Sequence, residues 1–70
     1  MWEVNLKAAV LPEGFKVYED ETFVYLKFCG VEVARFTHNI LPEYIEREAR
    51  KYAIEVLGWN IEQKEVRNNV

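Results

Sequence analysis

The chain has 70 residues, a net charge of −3 and a hydrophobic fraction of 50%, which fit one folded domain, too short for two cores within these residues and too apolar for a disordered chain. Charge is evenly spread, with four Lys/Arg against six Asp/Glu in residues 1–41 and five against six in residues 42–70, so no basic arm favours nucleic acid or anionic lipid. A lone core in so short a chain supplies about 3–5 kcal/mol of net stability, and a single cysteine cannot add an internal disulfide, so self-association is the expected remedy.

Trp2, Val4, Leu6, Ala8 and Val10 alternate with other residues at the period of a strand with one buried face. This predicts a first strand that stops at Leu11-Pro12-Glu13-Gly14, where Pro and Gly suit a turn. Phe15 to Glu19 reads as a second strand, Phe23 to Phe28 as a third and Val31 to Thr37 as a fourth, from their aromatic and β-branched content. Two-residue loops at Asp20-Glu21 and Cys29-Gly30 would place Val17 opposite Val24, Leu26 opposite Val33 and Phe28 opposite Val31. One face then holds Phe15, Val17, Val24, Leu26, Phe28, Val31 and Val33, and Lys27 faces Glu32. The partner of the first strand stays open.

Asn39 is placed to cap a helix, with Pro42 in the first turn, where a missing N–H costs little. Leu41, Ile45, Ala49, Tyr52 and Val56 form one stripe at helical spacing, suited to covering the apolar sheet face. Glu43 with Arg47, and Glu46 with Arg50, stand four apart on the solvent side. Gly58 suits the helix stop, Trp59 and Ile61 are expected to return to the core, and residues 62–70 form a frayed tail. The expected fold is therefore one α+β domain over residues 1–61, an antiparallel β-meander of three to four strands followed by one amphipathic helix.

Several chemistries are excluded or left without support. The chain has no serine, which rules out serine hydrolase mechanisms. Cys29 and His38 lie at opposite ends of the fourth strand, roughly 25 Å apart at about 3.3 Å per residue, too far for a thiolate dyad within one chain. One Cys and one His make no metal-ligand set, and three isolated glycines make no phosphate-cradling loop. The expectation is no enzyme, no cofactor and no metal. The longest apolar runs, such as Ala8–Leu11, fall far short of the about 20 residues of a membrane span, and the N-terminal alternation is not that of a signal peptide. With a free thiol, a cytoplasmic protein without membrane association is expected.

The second sheet face is the remaining candidate surface. In the register above it holds Lys16, Tyr18, Phe23, Tyr25, Lys27, Glu32, Ala34 and Phe36, too aromatic to face water, and a contiguous patch of this kind marks a contact surface. The leading expectation is a two-fold homodimer through this face, with Ile54 and Leu57 of the helix as a second candidate contact. The alternatives are an accessory or regulatory module on a protein partner and, least favoured, a nucleic-acid platform stacking bases on Tyr18, Tyr25 and Phe36. A three-stranded sheet with one following helix is similar in layout to plant AP2-type and integrase arm-binding domains, an analogy of fold alone.

Overall fold

In the computed structural model, which describes residues 1–60, the strands β1 (Trp2–Val4), β2 (Phe15–Glu19), β3 (Val24–Phe28) and β4 (Val31–Phe36) form one antiparallel sheet in the order β1-β2-β3-β4. The helix α1 (Pro42–Glu55) follows and packs on one face, giving the α+β meander read from the sequence. Residues 61–70, and with them Ile61 and the expected tail, lie outside the described residues.

Phe15, Val17, Val24 and Leu26 from the sheet meet Ile45, Ala49 and Ala53 from α1 in the core. Leu26, Ile45 and Val17 are the largest fully buried side chains, each stabilising the fold by roughly 1.5–3 kcal/mol. Ala49 and Ala53 keep the facing turns of α1 small, so the helix can lie close to the sheet. The buried stripe is thus Ile45, Ala49 and Ala53, with Tyr52 at its margin, while Leu41 and Val56 at the two ends are exposed. At one end of the core Phe15, Phe28, Tyr52 and Trp59 form an aromatic cluster with ring centroids 4.8–6.3 Å apart. Trp59 reaches it because Gly58, at φ 73°, turns the chain and the Trp59 N–H donates to the Ala53 carbonyl at 2.8 Å.

The first strand is shorter than its alternation predicts. Only Trp2, Glu3 and Val4 pair with β2, opposite Glu19, Tyr18 and Val17. Beyond Val4 the chain leaves the sheet, packs Leu6 and Leu11 on the core, and donates the Val10 N–H to Oε1 of Glu46 on α1 at 3.2 Å. Glu46 also receives Arg50 at 3.0 Å, so it ties this segment to the helix instead of standing free in solvent. The partner expected for Glu43, Arg47, lies 5.1 Å over the ring of Tyr44. Asn39 does not cap α1: Leu41 is the N-cap residue, without a side-chain bond, and Pro42 stands at the first helical position.

Two connections explain the sheet register. Asp20 accepts the N–H groups of Thr22 and Phe23 on Oδ1, both at 2.8 Å, so its side chain builds its own turn and the loop spans residues 20–23. Val17 therefore faces Leu26 and Tyr18 faces Tyr25, a slip of two residues from the expected pairing. A slip of two leaves each side chain on its face. The hairpin at Cys29-Gly30 follows expectation, with Phe28 opposite Val31 and both turn residues at positive φ, 50° and 87°.

Past that hairpin β4 departs from the simple alternation. Lys27 faces Glu32, but Leu26 faces Ala34, Tyr25 faces Arg35 and Val24 faces Phe36, so the ladder shifts by one residue at Val33. A bulge of this kind reverses the facing of everything beyond it. Ala34 and Phe36, expected on the second face, pack instead against the core, and Arg35 takes their place.

Candidate functional surface: the second sheet face and the β4 edge

The second face carries Glu3 from β1, Lys16 and Tyr18 from β2, Tyr25 and Lys27 from β3, and Glu32 and Arg35 from β4. Of the side chains expected there, Lys16, Tyr18, Tyr25 and Lys27 are in place, Phe23 joins from the turn, and Phe36 is not among them. Leu57 is likewise no free contact, since it packs on the core, while Ile54 is half-buried.

Tyr25 anchors this face. It is 7% exposed, its hydroxyl donates to Oδ2 of Asp20 at 2.6 Å, and the Phe23 ring meets it edge-on at 6.2 Å. The Arg35 guanidinium lies 5.1 Å from the Phe23 centroid and 5.4 Å from that of Tyr25, while the Lys27 ammonium lies 5.1 Å over Tyr18. Cations on ring faces gain from the ring quadrupole and shield apolar surface from water. The aromatic face is therefore covered by its own charged side chains, and the exposed large apolar residues, Met1, Trp2, Val10, Val31, Leu41, Tyr44 and Val56, lie elsewhere.

The hydrogen bond from Tyr25, followed by those from the backbone of Phe23 and Thr22, holds the Asp20 carboxyl down at about 2. The same bond raises the Tyr25 hydroxyl above its usual value. Arg35 is raised too, by Glu32, whose carboxylate meets its guanidinium at 3.2 Å. Glu32 and Arg35 are three apart, yet both point to this face because the bulge lies between them.

Two further features stand out. β4 is an edge strand, and among the described residues no strand pairs with its outer side. Above the hairpin end a shallow cleft of about 300 Å³ is lined by Gly14, Lys16, Tyr18, Lys27, Cys29 and Gly30. Among the described residues no three of His, Cys, Asp and Glu converge as a metal site, and no helix is long and apolar enough to cross a membrane. No family model, curated protein or solved structure matches this chain.

The Glu32–Arg35 pair was beyond sequence reasoning because its two members have opposite parity in a regular strand. The one available signal was that Phe36, a large apolar residue, would otherwise face away from the core.

Proposed function

We propose that the domain is an interaction module with no catalytic work of its own, acting as a two-fold homodimer joined through the outer edges of β4. The observation that carries this reading is that the bulge places Glu32 and Arg35 on one face of an open edge strand. When β4 pairs antiparallel with β4 of a second copy about an axis between Val33 and Ala34, each Glu32 stands opposite Arg35 of the other copy. Val31, 61% exposed in the single chain, then stands opposite the second copy's Phe36 on the helix side. A slip of one or two residues loses both matches. Charges on an edge strand ordinarily deter pairing; two of opposite sign, spaced to complement themselves, admit a copy of the same strand and repel others.

Joining the edges makes one continuous eight-stranded sheet and extends a core that is small for an independent fold. It also replaces the face-to-face contact expected from the sequence, which the cations over Tyr18, Phe23 and Tyr25 disfavour. Those same cations, and the burial of Tyr25, remove the free ring faces that base stacking needs.

Sedimentation equilibrium at micromolar concentrations tests the proposal. The expected mass is twice the chain mass of 8.3 kDa, with Glu32→Lys and Arg35→Glu each giving monomer and the double exchange restoring the dimer. A wild type that remains at 8.3 kDa at high micromolar concentration, or single variants that stay dimeric, would overturn it. In the monomeric case the open edge becomes a site for an extended segment of a different protein.

A further inference from the structure

Lys16 and Lys27 are direct cross-strand partners on the second face. Like charges in such positions oppose pairing, and among the described residues neither lysine has a carboxylate partner within ion-pair distance. The two acids nearest in the register are engaged or displaced: Glu32, opposite Lys27, turns to Arg35 at 3.2 Å, and Glu3 stands opposite Tyr18, one row away. The cleft of about 300 Å³ lies over these two lysines. Its lining also includes Tyr18, whose ring has the Lys27 ammonium 5.1 Å from its centroid, and the turns at Gly14 and at Cys29-Gly30. These turns are tied together by the bond from the Cys29 N–H to the Gly14 carbonyl, 3.0 Å. At Gly14 and Gly30 no side chain stands between a ligand and the backbone.

We propose that this cleft binds the dianionic phosphate group of a phosphate monoester. Two lysines at directly paired positions lining one cleft, without an ion-pair partner among the described residues, match a group that carries nearly two negative charges and three acceptor oxygens. The cavity holds a phosphate with its ester oxygen and the first atoms beyond, whereas a single carboxylate would neutralise only one of the lysines. The inference is independent of the β4 contact, since Glu32 is engaged by an Arg35 in the single chain and in the dimer alike.

Amide-resolved NMR titration with inorganic phosphate at constant ionic strength is the test, followed by the same titration with a phosphoserine peptide. Phosphate is expected to move the Gly14, Cys29 and Gly30 amides with millimolar affinity, and Lys16→Gln or Lys27→Gln to weaken binding about tenfold, with Lys51→Gln as a neutral control. Tighter binding of the peptide assigns the ligand to a protein side chain; equal or weaker binding assigns it to a small phosphorylated molecule. A second measurement uses the cost of the lysine pair. Lys16→Glu is expected to raise the melting temperature without phosphate, by replacing a like-charge pair with an opposite one, and to abolish the further rise that phosphate gives the wild type. Shifts that chloride reproduces, wild-type affinity in both glutamine variants, or a phosphate-induced rise retained by Lys16→Glu would overturn the proposal.

Discussion

The Tyr25 hydroxyl donates a 2.6 Å hydrogen bond to Asp20, linking the start of β3 to the turn that precedes it. The same Asp20 side chain accepts the two backbone N–H groups that organise the turn and with it the β2–β3 register. The bond to Tyr25 makes stability depend on pH at both ends of the range. The Asp20 carboxyl lies at about 2 in the folded chain against 3.8 for the free group, so its contribution is present above about pH 4 and is lost as pH falls toward 2. Tyr25 is shifted up from 10.0, so its contribution is full below pH 10 and fades as pH rises through the folded value. Urea midpoints measured from pH 7 down to 2 should fall less steeply for Asp20→Asn than for the wild type. Equal slopes would mean that this bond is not formed in solution.

Phe36 and Arg35 give the most direct test of the bulge. With Phe36 packed on the core and Arg35 on the outer face, Phe36→Ala should cost about 2–3 kcal/mol, below the roughly 3–5 kcal/mol of a fully buried ring because this one is half-buried. Arg35→Ala should move the urea midpoint far less. The reverse order would restore the regular strand that simple alternation predicts. Deleting Val33, the extra residue of the bulge, should leave Ala34 and Phe36 on the core and Arg35 on the outer face, since it makes the ladder regular with the same partners.

Cys29 occupies a left-handed position at φ 50° with an exposed side chain, a conformation that asparagine or glycine takes at lower cost. Cys29→Asn is expected to raise stability by about 0.5–1 kcal/mol in chemical denaturation, with no change of fold. A lower midpoint would show that the thiol contributes a contact that outweighs the backbone strain.

Gly14 and Gly30 both have positive φ, 94° and 87°, but their surroundings differ. A Cβ at Gly14 would stand 2.7 Å from Cε1 of Phe28, a ring held in the aromatic cluster, whereas a Cβ at Gly30 meets nothing within 4 Å. Gly30→Ala should therefore cost about 1 kcal/mol, the backbone penalty alone, and Gly14→Ala about 2–3 kcal/mol, with the packing penalty added. Similar losses at the two sites would mean that Phe28 moves aside freely.

The consecutive strands β2, β3 and β4, the following helix, the Cys29-Gly30 hairpin and the inward facing of Phe15, Val17, Val24, Leu26, Ile45 and Ala49 are all determined by the amino-acid sequence on its own. They rest on local periodicity, and the inward set survives the two-residue slip at Asp20 because the facing of a strand repeats every two residues. The surface is another matter. In Val33-Ala34-Arg35-Phe36 alternation allows either parity, and nothing local says that one residue will bulge. That choice weighs a disrupted ladder position in β4 against placing Phe36 beside Val24 and Arg35 in water, a balance struck among residues distant in sequence. The end of β1 is decided in the same way, by the contacts that Leu6, Leu11 and the Val10 N–H find on the core and on Glu46. Tertiary packing therefore decided that Arg35 joins the outer face in place of Ala34 and Phe36, and with it the Glu32–Arg35 edge from which the proposed dimer contact follows, while the Lys16–Lys27 pairing follows from the local turn at Asp20.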